Sequence, residues 1–188
     1  GGNLEYNVTS DAHRIFGLLV GVNKGKLSKV DMKLDEVVVN VQNNCTCNYG
    51  TLVGKNNNGM IENITIDNVI LKCTKALNCF SGGITSNCIH GTIKNVHINN
   101  IDVYIENIQH GGFAGIVQIS SESIIEYCDI KCIKASVSNV KNDTYMGGLF
   151  GLCGINNKIF KCNIEILKEL YNHNIKNLNI GGLIGYVD

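Results

Sequence analysis

A glycine-rich motif returns at near-constant intervals along this chain. A period in the low thirties limits the fold more than any single residue does, because one such unit cannot bury its own apolar face. The motif is a Gly, usually a second Gly or small residue, an apolar residue, any residue, and usually another Gly. It reads Gly17-Leu18-Leu19-Val20-Gly21, Gly50-Thr51-Leu52-Val53-Gly54, Gly82-Gly83-Ile84, Gly111-Gly112-Phe113-Ala114-Gly115, Gly147-Gly148-Leu149-Phe150-Gly151 and Gly181-Gly182-Leu183-Ile184-Gly185. The opening glycines are 33, 32, 29, 36 and 34 residues apart.

A second motif follows about ten residues later, with the period-two alternation of a strand that buries one face. Its members are Leu27-x-x-Val30-x-Met32, Ile61-x-x-Ile64-x-Ile66, Ile93-x-x-Val96-x-Ile98, Ile125-x-x-Cys128-x-Ile130 and Ile159-x-x-Cys162-x-Ile164. Gly25, Gly59 and Gly91 stand two residues ahead of the leading aliphatic, where a turn with positive φ is expected. A third alternating stretch comes next: Val37, Val39 and Val41; Val69, Leu71 and Cys73; Ile101, Val103 and Ile105; Ile133, Ala135 and Val137. The unit is three short strands and three turns. Each strand has one apolar side and no partner, so equivalent strands of successive units must stack as parallel ladders around a shared interior.

The expected fold is all-β, a right-handed parallel β-helix (a β-solenoid) of about six coils of roughly 33 residues, with three short strands per coil. The chain divides into a half-coil 1–16, coils 17–49, 50–81, 82–110, 111–146 and 147–180, and a half-coil 181–188. Only Ile164 to Tyr171 would tolerate a helical turn. There is no Pro, as central ladder strands require, since each needs its backbone donor. The 16 Lys and Arg balance 16 Asp and Glu, which leaves no basic footprint for nucleic acid or anionic lipid. No apolar run approaches the roughly 18 residues of a membrane-spanning helix, so no membrane insertion is expected of this segment.

Gly181-Gly182-Leu183-Ile184-Gly185-Tyr186, and Gly147-Gly148-Leu149-Phe150-Gly151 followed by Ile159-x-x-Cys162-x-Ile164, resemble the GLUG repeat of large surface and secreted proteins. Ile61-Glu62-Asn63 and Ile93-Lys94-Asn95 match the Ile-x-Asn half of that pattern, and Cys128 and Cys162 its Cys position. The resemblance covers nearly the whole chain. The units here are several residues longer than the usual repeat, and Gly82-Gly83-Ile84-Thr85-Ser86 lacks the last Gly. The resemblance implies a repetitive extracellular or cell-surface protein and brings no catalytic residue with it.

The chain opens on Gly1-Gly2-Asn3-Leu4-Glu5-Tyr6, aligned with the second motif as in Ile125-Glu126-Tyr127, and stops just after a first motif. Read head to tail, the two ends complete one ordinary repeat. The expected partners are flanking repeats of a longer array or copies of the chain stacked end to end; six rungs at about 4.8 Å would lengthen a fibre by roughly 30 Å per copy.

Nine cysteines occur. Cys47 and Cys79 each lie three residues before an opening Gly, and Cys128 and Cys162 share a strand position in neighbouring coils. Stacked positions lie about 4.8 Å apart, within the Cα window of a disulfide. A Cys47–Cys79 bond is favoured, with Cys128 and Cys162 as a second candidate pair or as core thiols. Cys88-x-His90, His97 and His110 fall on different strands and turns, which argues against zinc, and no cofactor is expected. The sequons at Asn7, Asn44, Asn63 and Asn142 are glycosylation candidates; Asn44 and Asn142 are favoured because they sit in polar stretches between strands.

Glycoside hydrolysis needs two carboxylates on one face. The acids here stand one or two per coil on outward positions, and Glu62 and Glu126 share a register two coils apart with Lys94 between them. A single Arg, Arg14, also removes the bidentate clamp for uronate carboxylates. The chain is read as non-catalytic. Glycan binding is the alternative, with Tyr49, Tyr104, Tyr145 and Tyr171 as aromatic platforms beside the variable stretches 42–49, 72–81, 106–110, 138–146 and 168–176. The favoured reading is a structural or adhesive segment of a surface stalk or filament that presents Asn-rich loops to a glycan, host or matrix surface.

Overall fold

A computed structural model describes residues 3–8, 14–32, 36–41, 46–74, 76–173 and 177–188. Among these the architecture is all-β: three parallel sheets form the walls of a β-solenoid. The long wall is 8-stranded, built from Asn3–Val8, Lys26–Met32, Glu36–Val41, Met60–Thr74, Thr92–Glu106, Ile124–Ser138, Lys158–Phe160 and Asn163–His173. The second wall holds Arg14–Gly17, Thr46–Gly50, Asn78–Gly82, His110–Ala114, Asp143–Gly147 and Asn177–Gly181. The third holds Val20–Asn23, Val53–Asn57, Thr85–Ile89, Val117–Ser121, Phe150–Cys153 and Ile184–Val187. The second and third walls are six strands deep, while the enclosed apolar core runs from Cys47 to Cys153 and fills about four turns.

The alternation read from the sequence is the inward ladder. Ile61, Ile64, Ile66, Val69, Leu71 and Cys73 are buried, as are their counterparts one rung on, Ile93, Val96, Ile98, Ile101, Val103 and Ile105. Each buried aliphatic contributes roughly 1.5 to 3 kcal/mol. The second and third stretches of a coil belong to one bent strand. The ladder pairs Glu62 with Lys94 and Ile64 with Val96 but passes over Asn63 and Asn95, which are left-handed at φ 56° and 52°. The stretch Ile164 to Tyr171 is strand rather than helix, and its pairing steps from Lys134–Lys168 to Ala135–Leu170, so Glu169 is an extra, bulged residue.

Three expectations are corrected by the register. Gly17, Gly50, Gly82, Gly147 and Gly181 do share one corner column, but the place of Gly111 is taken by Ala114. The true period is therefore steadier than the glycines alone suggest, and the coil boundary lies three residues later. Asn3–Val8 pairs with Glu36–Val41, so the opening residues stack on the third stretch and not on the second motif. Asp188 followed by Gly1 therefore lacks a second motif and does not make an ordinary repeat.

Among the described residues no glycine has positive φ. The left-handed corners fall one residue earlier than expected, on Asn58, His90, Glu122 and Asn156, with φ 57°, 50°, 49° and 56°. Asn reaches this conformation more readily than most residues because its amide can bond locally. Glycine is needed beside these corners for space. A Cβ on Gly59 would run into the Asn56 and Asn23 amides, and one on Gly91 would meet Asn56 and lie 2.8 Å from Cys88 Sγ. In the Gly-Gly corner, a Cβ on Gly115 would strike the Gly148 carbonyl and the Ile130 side chain.

Two substitutions separate these causes. Gly25 has open space around its missing Cβ and no positive φ, so Gly25→Ala should leave stability unchanged or raise it by about 0.5 kcal/mol. Gly115→Ala should cost about 1 to 3 kcal/mol. Val96→Asp, a charge at a fully buried ladder position, should cost more than about 4 kcal/mol and unfold the adjoining coils. Urea titrations of the three variants against wild type check all of these.

Candidate functional site

Stacking sets each outward side chain beside its counterpart on the next rung, and asparagines pair along several of these columns. Asn95 Nδ2 donates to Asn63 Oδ1 at 3.0 Å, Asn100 to Asn68 at 2.9 Å, Asn139 to Asn107 at 3.1 Å and Asn99 to Asp67 at 2.7 Å. An amide carries both donor and acceptor, so it can pair with a like neighbour on the next rung; these columns each join two rungs, with Tyr127 following Asn95 and Cys132 following Asn100.

A second amide column runs inside. Asn23, Asn56, Cys88, Ser120 and Cys153 occupy one register position of the third wall. Asn23 Nδ2 donates to Asn56 Oδ1 at 2.9 Å, and Asn56 Nδ2 donates to the Gly59 carbonyl at 3.0 Å and to Cys88 Sγ at 3.4 Å. Later rungs supply the amide from the corner: Asn157 Nδ2 donates to the Ser120 carbonyl at 2.9 Å, and Asn157 Oδ1 accepts from Ser120 Oγ at 2.8 Å.

Several charged groups pair across rungs. Glu62 and Glu126 occupy one column with Lys94 between them. Glu62 bonds to Lys26 and lies 3.3 Å from Lys94 Nζ; the Lys26 contact chiefly holds its carboxyl below the usual carboxylate range, against an opposing effect of burial. His90 faces Glu122 at 3.2 Å, His97 faces Asp129 at 3.3 Å, and His110 meets the Asn142 amide at 3.1 Å. Cys88 is interior, away from these outer histidines, and among the described residues no three metal-ligating side chains converge.

The cysteines depart from expectation. Cys79 is bonded to Cys73, with Cα atoms 6.6 Å apart, and Cys47 is its in-register neighbour on the adjacent rung. Cys73 lies one residue before the end of a long-wall strand and Cys79 one residue after the start of the next second-wall strand, so the bond spans one corner, whereas stacked side chains run side by side. It closes a six-residue separation, worth about 2 kcal/mol in loop entropy against almost 4 for the expected bond between rungs. Cys128 and Cys162 carry thiols; Cys128 is a core thiol, as expected, and Cys162 is only half-buried.

Of the sequons, Asn63 is exposed at a left-handed corner, whereas Asn142 is half-buried with its amide on His110 and Thr144 beyond it fully buried. Asn44 lies outside the described residues, as does the side chain of Asn7. Tyr49 is no platform: it is buried and stacks on Phe16 at 5.5 Å. Tyr104 is exposed, Tyr145 is half-buried against Tyr186 at 5.4 Å, and the Tyr171 side chain lies outside the described set.

An aromatic cluster absent from the sequence reading lies on the outer corner. Tyr127 and Phe160 are exposed and meet edge to face at 5.9 Å, with Lys161 Nζ 5.3 and 5.2 Å from the two rings. Tyr127 takes the left-handed place of Asn63 and Asn95, and Phe160 stands in the column of Glu62, Lys94 and Glu126. Two aromatics breaking polar columns were the available signal.

No family model matches the chain, and neither a curated protein nor a solved structure shows significant similarity to it.

The Glu62 pairing predicts an acid dependence. A carboxyl depressed in the folded state stabilises fully above its unfolded value near pH ~4.3 and loses that contribution as pH falls through the folded value. Glu62→Gln should therefore lower stability at neutral pH, and the difference from wild type should vanish in acid, as read by urea unfolding between about pH 2 and 7.

Proposed function

We propose that this chain is a non-catalytic structural segment of an extracellular or cell-surface repeat protein, extended end to end by further rungs of the same kind. One column carries the reading. Leu19, Leu52, Ile84, Ile116, Leu149 and Leu183 are linked rung to rung by backbone hydrogen bonds. The four inner members are at most 1% exposed, but Leu19 is 45% and Leu183 51% exposed. A further rung on either end would cover these leucines, at about 1 kcal/mol each. The GLUG resemblance, the Cys73–Cys79 disulfide and the exposed Asn63 sequon support export. Outward amides and ions already paired along the columns support a passive surface.

The rungs that extend the stack come from flanking sequence or from second copies. End-to-end assembly is read by light scattering at rising concentration and by electron microscopy. Wild type should form lengthening particles, and Leu183→Lys should hold the chain monomeric. A wild-type monomer at high concentration, with no filaments, would remove self-assembly.

The exposed Tyr127–Phe160 pair favours a second reading, a glycan-binding module of an adhesin, since faces of this kind stack on sugar rings. A glycan array probed with wild type and Phe160→Ala tests it, and an array without hits discards it.

A further inference from the structure

Two sequons have described side chains, and the fold treats them oppositely. In Asn63-Ile64-Thr65 the middle residue is a fully buried ladder aliphatic, and the acceptor Asn63 and the hydroxyl-bearing Thr65 on either side of it are both exposed. In Asn142-Asp143-Thr144 the pattern is reversed. Asn142 is half-buried with its amide 3.1 Å from His110 Nε2, and Thr144 is fully buried, its Oγ1 donating to the Asn142 carbonyl at 3.4 Å.

The surroundings of Asn63 suit an added group. It takes a left-handed bend, φ 56°, that strand pairing passes over on both sides: Ser28 pairs with Glu62 and Val30 with Ile64, then Glu62 with Lys94 and Ile64 with Val96. A larger side chain here therefore displaces no ladder partner. Asn63 Oδ1 accepts from Asn95 Nδ2 at 3.0 Å, and a carboxamide joined to a sugar through nitrogen keeps that oxygen as an acceptor. The attachment atom, Nδ2, lies on the side away from Asn95, where the corresponding place on the preceding rung holds Lys29, exposed and left-handed at φ 57°. Rungs flank this position on both sides, so its exposure belongs to the outer face of the long wall and not to an end of the stack.

We propose that Asn63 is a site of N-linked glycosylation, a reading that rests on the extracellular assignment above. The donor is an oligosaccharide carried on a lipid pyrophosphate. Asn63 Nδ2 attacks C1 of the proximal sugar; the C–N bond forms as the C1–O bond to the pyrophosphate breaks. Nδ2 gives up one proton, and the lipid pyrophosphate leaves with the bonding electron pair. Asn142 stays unmodified, since a sugar on its amide would have to displace His110 and its Thr144 hydroxyl is enclosed. A glycan on Asn63 projects sideways from the long wall, across the stacking axis, so it adds a hydrated face without blocking a further rung.

The test is a glycopeptide map of the full chain, secreted by a eukaryotic host behind a cleavable signal sequence, in an Asn7→Gln, Asn44→Gln background that silences the other two sequons. Asn63 should carry sugar that an N-glycan amidase removes, leaving its deamidation mark at position 63 and none at 142. Thr65→Val, which keeps a β-branched residue on the strand, should abolish the glycan, and Thr65→Ser should retain it; melting curves establish that both variants are folded. Bare Asn63 on the folded, secreted chain, or sugar on Asn142 in its place, would overturn the proposal. Because the host supplies signal and transferase, this result is independent of the natural compartment. Natural protein found outside its source cell with bare Asn63 would sink the site and leave the extracellular reading standing, whereas natural protein confined to the cytosol would remove both.

Discussion

Parallel in-register pairing sets each side chain about 4.8 Å from its counterpart one rung away, so every position must tolerate a copy or near-copy of itself as its closest neighbour. The rest of the molecule follows from that requirement. Aliphatics meet it inside the long wall and carboxamides meet it outside, because each amide gives one hydrogen bond and takes another. Charges meet it by alternation where Lys94 separates Glu62 from Glu126, whereas Lys134 and Lys168 stand in register as like charges. Where a rung breaks a column, as Phe160 does, the surface acquires a local feature instead of a repeating one.

The same requirement decided what could be read from sequence. Period-two aliphatics exposed the ladders directly, and residues such as Ile64, Val96 and Cys128 were assignable inward because burial and alternation agree. Features that join different walls of one coil were not legible. Cys73 and Cys79 converge across a corner, and nothing in the stacking period signals that approach. Glycine proved an ambiguous mark: it was read as a sign of backbone conformation, whereas Gly59 and Gly91 make room for the Asn56 amide and the left-handed angle rests on Asn58 and His90. Anchoring the period on glycine also misplaced one coil, because Ala114 holds the corner column and Gly111 lies three residues away.

For the candidate functional site, sequence supplied the columns but not their environments. Cys128 and Cys162 were recognisable as stacked neighbours, while the difference between a core thiol and an edge thiol depends on what lies above each rung. Tyr127 and Phe160 lay within the motif used to align the repeats. Their side chains become a pair only when one coil rests on the next, at a corner where both face solvent.

The interior amide column also makes the rungs unequal in a way their outward similarity conceals. Asn56 projects from a strand into the space left by Gly59 and Gly91, whereas Asn157 projects from a corner toward Ser120. Between them stands the rung of Cys88 and Gly91, which accepts the strand-borne amide from one side and, through the Cys88 carbonyl and the Gly91 N–H, meets Ser123 Oγ on the other. Excising that single rung would press Asn56 against a corner that carries a side chain. The stack is thus a sequence of matched joints with an adaptor in the middle, and a rung cannot be removed there, or two exchanged, without rebuilding the interior on both sides.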